Sequence, residues 1–258
     1  MVTESRIGLS GKFEKFRKKI EPTDNQKRQI ISTHTHLRES YLINLPYVSK
    51  TFLTGSYKRN TMIRPLNDVD VFIVIDESEY DITPNSVLNK LKRDLSGLYP
   101  NTDITRDRPC ITLDFNHCRF ELTPAIPKES FFFLGDDYFF IPGNGGNHWV
   151  KVEDPKDLES DLSNANRRLD GRLTPLIKMM KAWARFNNII DIKSFELEKK
   201  AINSLYEIEN YRDGVEKLLK IFGWEDAQGL FSSKIGVMDD SEFARYCRNE
   251  LFGNDFPV

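Results

Sequence analysis

At 258 residues, with 39% hydrophobic and 29% charged residues, the chain can bury a sizeable core as one large domain or two small lobes. A formal charge of −2 argues against a protein that coats nucleic acid extensively, and three cysteines (Cys110, Cys118, Cys247) make neither an even disulfide set nor a zinc pattern. No stretch approaches eighteen uninterrupted apolar residues, and residues 1–19 are charged without a signal-peptide core, so we expect a cytoplasmic protein with no membrane partner.

Thr23 or Asp24 can cap a helix over Asn25–Leu45, which ends near Pro46. Gly55-Ser56 follows, and after eleven intervening residues comes Asp68-Val69-Asp70 at the head of the apolar run Val71–Ile75. Read as a strand, that run projects both carboxylates from one face, where they can grip one divalent cation. The Gly-Ser step offers close backbone approach to a phosphate, plus a hydroxyl, at the start of a helical turn. Val87–Tyr99 reads as a second helix, closed by Pro100.

Cys110–Phe115 and Cys118–Thr123 alternate as two strands joined by the turn Asn116-His117. In that register Phe115 faces Cys118, Asp114 faces Arg119 and Thr112 faces Glu121, which puts both acids on the polar face. Pro142–Asn147 reads as a mobile loop between lobes. Helices are expected over Pro155–Leu169, Leu173–Asn187, Ser194–Ile208, Arg212–Phe222 and Ser241–Leu251. The fold class is therefore α+β, with a mixed lobe over residues 1–153 that carries the long N-terminal helix and a helical lobe over 154–258.

In-line attack of a hydroxyl on an α-phosphate is helped by two cations, and two aspartates hold the second poorly. A third carboxylate is expected on the hairpin. Asp114 has Arg119 as a cross-strand partner, whereas Glu121 faces only Thr112 and is freer to ligate. In the helical lobe, Lys181 and, one turn earlier, Lys178 are candidates for neutralising β- and γ-phosphates. Ser194 opens a helix as an N-cap, standing alone because Leu197 cannot complete a capping box. Phe195 is read equally well as buried between helices or as a stacking face.

The stretch from Gly55 to Val71 resembles the GSYxRxTxIxPxxDVDV signature of bacterial cGAS/DncV-like nucleotidyltransferases, polymerase-β-like enzymes related to oligoadenylate synthase. Phe120–Ala125 is similar to that family's D-x-x-P-A segment, which implies Glu121 as third metal ligand, a glutamate where the family more often has aspartate. Pro175–Trp183 is similar to P-L-I-x-x-x-K-x-W, which implies that Lys181 contacts the triphosphate. Lys193–Glu198 is similar to S-Y/F-x-L-E, which implies Ser194 on phosphate and Phe195 stacked on a base. His148-Trp149 is assigned to packing between the lobes. The resemblance implies a polymerase-β-like core plus a C-terminal helical lobe, with the active site in the cleft. It further implies two Mg²⁺ (or Mn²⁺) ions held by Asp68, Asp70 and Glu121, and NTP substrates bound with Gly55 and Ser56. The implied activity is pyrophosphate-releasing synthesis of a cyclic oligonucleotide second messenger in anti-phage signalling, by a monomer with a protein activator or downstream effector. Linear oligonucleotides, or nucleotidyl transfer onto a protein or tRNA, are the alternatives.

Overall fold

The computed structural model describes residues 7–66, 68–76, 82–107, 109–128, 138–145, 147–224 and 235–258. They fall into two compact units: Pro22–Arg59 with Leu66–Glu159, and Met1–Glu21 with Asn60–Pro65 and Ser160–Val258.

The first unit is built on a mixed sheet. Its strands are β1 (Val48–Thr54), β2 (Val69–Ile75), β3 (Asp103–Asp107), β4 (Cys110–Phe115), β5 (Cys118–Lys128), β6 (Tyr138–Pro142) and β7 (Trp149–Glu153). They run in the order β1-β2-β5-β4-β3, with β6 added to the far end of β5 and β7 to β6. Among the described residues, only β2 and β5 pair in parallel. β2 lies between β1 and β5 and is buried on both faces: Val69, Val71 and Ile73 are fully buried on one, while Val74 on the other joins Ala125 and Phe139, flanked by Phe52 and Phe72. Helix α4 (Pro84–Leu98) covers β3 and β4, burying Val87, Leu88, Leu91 and Leu95. Its N-terminus is satisfied by Thr83, whose hydroxyl accepts from the Ser86 amide at 3.3 Å.

The expected helix over Asn25–Leu45 is helical but not uniform. Its first part, α2 (Asp24–Thr35), is held by a capping box: the Thr23 hydroxyl accepts from the Gln26 amide at 3.2 Å, and the Gln26 side chain accepts from the Thr23 amide at 2.9 Å. It then widens into a π-helical turn over His36–Tyr41 and tightens over Leu42–Asn44. Leu37 and Leu42, five residues apart, are both fully buried, a spacing that a π turn places on one face and an α turn does not.

Pro142–Asn147 does not link lobes. Its described residues belong to the β6–β7 hairpin, where the Gly143 amide donates to the His148 carbonyl at 3.0 Å. Trp149 likewise serves the sheet unit, its indole N–H donating to the Ile82 carbonyl at 3.2 Å.

The other unit is helical, with α1 (Leu9–Ile20), α6 (Leu173–Phe186), α7 (Ser194–Ser204), α8 (Tyr211–Ile221) and α9 (Asp240–Tyr246), the last running on into a π turn, Cys247–Phe252. Helix α5 (Pro155–Arg168) contributes to both units. Phe13 and Phe16 of α1 lie in a ring cluster with Phe243, Phe252 and Phe256, so the N-terminal helix groups with the C-terminal helices, not with the mixed lobe expected over 1–153. Helix α7 ends at Ser204, short of the expected Ile208. Beyond its end, Arg168 donates to the Leu205 carbonyl at 3.0 Å and Arg172 to the Ile208 carbonyl at 3.2 Å, satisfying carbonyls that have no partner within the helix.

Candidate active site

Thr54 closes β1 beside Asp70 of β2, and the chain turns there into the short helix α3 (Gly55–Lys58). The turn needs a left-handed residue, and Gly55 supplies it at φ +68. A Cβ at this position would stand 1.6 Å from Asp70 Oδ2, so the carboxylate fills the space that the glycine leaves. Ser56 follows on α3, half-buried.

Asp70 and Glu121 are register partners on the parallel strands β2 and β5, so their side chains leave the same face of the sheet. Asp68 lies one residue ahead of β2 and not on it, a small correction to the expected strand. The Asp68 carboxyl nevertheless reaches Glu121 through a hydrogen bond. Glu121 is pushed up to about 7, first by burial, then by the charges of Asp68 and Asp70 and by that hydrogen bond. Carboxyls crowded in this way are short of positive charge. Burial lifts the nearby thiols to about 12 as well, and the acids add to it, Glu121 first for Cys110 and Asp68 first for Cys118. Neither thiol is a nucleophile under those conditions.

The hairpin register is the expected one, with Asp114 opposite Arg119 and Thr112 opposite Glu121. Asp114 accepts from Arg119 Nε at 2.7 Å and from Nη2 at 3.4 Å. The same Nε stands 3.8 Å from Asp68 Oδ1, a contact the sequence reading did not foresee. Among the described residues, no three His, Cys, Asp or Glu side chains already converge as a metal cage. The all-oxygen donor set of Asp68, Asp70 and Glu121 still suits a hard divalent cation, and the raised Glu121 pKa is the mark of crowded carboxyls that such a charge would relieve.

The residues expected in the helical unit are placed differently from the strand acids. Lys181 is buried: its Nζ lies 2.5 Å from Glu198 Oε1 and 3.0 Å from Thr61 Oγ1, and Thr61 donates to Glu198 at 2.7 Å. Thr61 and Glu198 are both 0% exposed, so Lys181 sits inside the unit and not on the helix surface. Lys178 is buried too, its Nζ 2.7 Å from Glu21 and 3.3 Å from Asn60 Oδ1. Ser194 is the first residue of α7 and not its cap. Lys193 takes the cap position, its amide donating to the Glu196 side chain at 3.4 Å; the lysine ammonium cannot accept from an amide in return, so this is only half of a capping box. Phe195 is 46% exposed, with the Lys199 ammonium 5.7 Å from its ring centre. Thr61 and Glu198 were legible only as letters within motif strings.

A family model described as a Second Messenger Oligonucleotide or Dinucleotide Synthetase domain matches residues 8–166. The chain belongs to this synthetase family. It is a bacterial cGAS/DncV-like nucleotidyltransferase, with the mixed sheet and helical C-terminal region of that class. The cyclic AMP-AMP-AMP synthase of an Acinetobacter strain is 27% identical over 248 residues, which span 90% of this chain and 68% of that one. A probable cyclic AMP-AMP-GMP nucleotide synthase of Salmonella paratyphi B is 34% identical over 129 residues, 47% of this synthetase and 34% of the relative. Among solved structures, E. coli MS115-1 CdnC with ATP superposes at a TM-score of 0.73 over 98% of this chain and 100% of that one, at 15% identity, a likeness of fold. No helix among the described residues is long and apolar enough to cross a membrane.

Proposed function

We propose that this synthetase joins nucleoside triphosphates, ATP among them, into a cyclic oligonucleotide with release of pyrophosphate. The observation that carries the reading is the packing of Asp70 against Gly55 and beside Glu121, with Asp68 bonded to the same glutamate. Asp68, Asp70 and Glu121 would hold Mg²⁺ or Mn²⁺, which when bound supplies charge for the triphosphate and a lower pKa for the attacking hydroxyl. The chain's own part is to place Asp70 and Glu121 on one face of the sheet and to bring the Asp68 carboxyl to Glu121 from just ahead of β2. Gly55 and Ser56 offer close backbone approach and a hydroxyl to the phosphates. Ser194 and Phe195, both exposed, are assigned to phosphate and base. Lys181 is assigned to the triphosphate by the family pattern, with Glu198 and Thr61 as its partners before any nucleotide binds. The Acinetobacter relative, which spans most of this chain, favours an adenylate-containing trinucleotide as product. The complex of CdnC with a HORMA protein favours a protein activator.

The test is incubation with all four NTPs, singly and paired, with Mg²⁺ or Mn²⁺, followed by mass spectrometry with phosphatase and phosphodiesterase treatment. A product that resists phosphatase and yields to phosphodiesterase is expected. A product with a terminal phosphate would move the reading to linear oligonucleotides.

A further inference from the structure

The polar face of the sheet carries a cation that the reaction scheme above does not use. Residues 119 and 121 alternate on β5, so Arg119 leaves the strand on the same face as Glu121, and its register partner Asp114 does the same on β4. Asp114 engages both Nε (2.7 Å) and Nη2 (3.4 Å), which fixes the plane of the guanidinium, while Nε also stands 3.8 Å from Asp68 Oδ1. The Arg119 side chain remains 46% exposed, open to a ligand. A cross-strand ion pair at such exposure contributes little to stability, so the fold does not require this arrangement. A forked, permanently charged donor held upright beside the aspartates matches what a phosphate group needs.

We propose that Arg119 binds a phosphate of the nucleotide seated at Asp68 and Asp70, and that Asp114 is the positioning residue that aims its guanidinium. This rests on the nucleotidyl-transfer reading. Before nucleotide binds, Arg119 supplies countercharge to Asp68. On binding it exchanges that weak contact for a phosphate oxygen and keeps Asp114. Asp114, weighed above as a metal ligand, thereby gains a different role.

The experiment measures binding of a non-hydrolysable ATP analogue with Mg²⁺, alongside turnover, in Arg119→Ala, Arg119→Lys, Asp114→Asn and the double variant, with Asp70→Asn as control. Arg119→Ala should weaken the analogue roughly tenfold or more, the scale of one charge-assisted hydrogen bond, and Arg119→Lys should recover part of it. Asp114→Asn should lose less, and should lose nothing further once Arg119 is alanine. Wild-type analogue affinity in Arg119→Ala would overturn the proposal. So would an Asp114→Asn loss that persists without Arg119, because Asp114 would then act on its own. If Asp70→Asn turns over normally, the underlying reading fails, whatever Arg119 does.

Discussion

Gly55 and Asp70 share one space: a Cβ on the glycine would meet Asp70 Oδ2 at 1.6 Å. Gly55→Ala should therefore do two things. The left-handed backbone costs a side-chain-bearing residue about 1–2 kcal/mol, which lowers the unfolding midpoint. The displaced Asp70 carboxylate should lower turnover by at least about a hundredfold, the scale of one lost electrostatic stabiliser. Thermal unfolding and pyrophosphate release measure the two separately. Normal turnover would mean that Asp70 is not where the chemistry happens.

Glu121 predicts a pH signature. Its folded pKa, about 7, lies above the ordinary value of 4.5, so the folded state binds the proton more tightly than the unfolded chain. That stabilising contribution is complete below pH 4.5 and is lost as pH rises through 7. In chelator, Glu121→Gln should be more stable than wild type above pH 7 and indistinguishable from it near pH 4.5. Turnover should fall at least about a hundredfold. Asp114→Asn should instead cost a cross-strand pair, about 0.2–1 kcal/mol of stability, beside the smaller loss of nucleotide affinity expected of it as the positioning residue of Arg119. A Glu121→Gln protein with no pH-dependent gain would contradict the crowding of the three acids.

Lys181 and Glu198 form a buried pair, so Lys181→Met should act on folding before it acts on NTP binding, the reverse of what an exposed helix lysine would do. Leaving the buried Glu198 charge without the Lys181 ammonium should lower stability by about 3–5 kcal/mol in urea unfolding. Adding Glu198→Leu should restore much of it. Lys178→Ala should also lower stability, since Lys178 is paired with Glu21. Wild-type stability in Lys181→Met would show that the pair is not formed.

Phe195 has the opposite character. With its ring half exposed, Phe195→Ala should leave stability within about 0.5 kcal/mol of wild type. Loss of base stacking should weaken NTP binding by about 1–3 kcal/mol, seen as a raised KM. An unchanged KM would remove Phe195 from the base site.

The acids and their hairpin were legible because a strand has period two and a two-residue turn fixes the register. Asp114 opposite Arg119 and Thr112 opposite Glu121 follow from counting outward from Asn116-His117. Strands β1, β3, β6 and β7 were not read. Segments such as Ser49-Lys50-Thr51 and Asp103–Asp107 are polar and short, and only pairing with distant strands makes them extended. Helix α6 misled for a related reason. Its apolar spacing puts Lys178 and Lys181 on the polar face, which reads as solvated, yet Glu21, Thr61 and Glu198 arrive from remote segments to cover that face with countercharge. The partners of the carbonyls past the end of α7, Arg168 and Arg172, likewise come from outside the segment.

The central claim is that the sheet-face carboxylates carry nucleotidyl transfer, and the most direct measurement is pyrophosphate release by Asp68→Asn combined with Asp70→Asn, given NTPs and Mg²⁺ or Mn²⁺. The double variant should fold, because both side chains are only partly buried, and should release no pyrophosphate above background. Turnover at the wild-type rate in that folded variant would contradict the account.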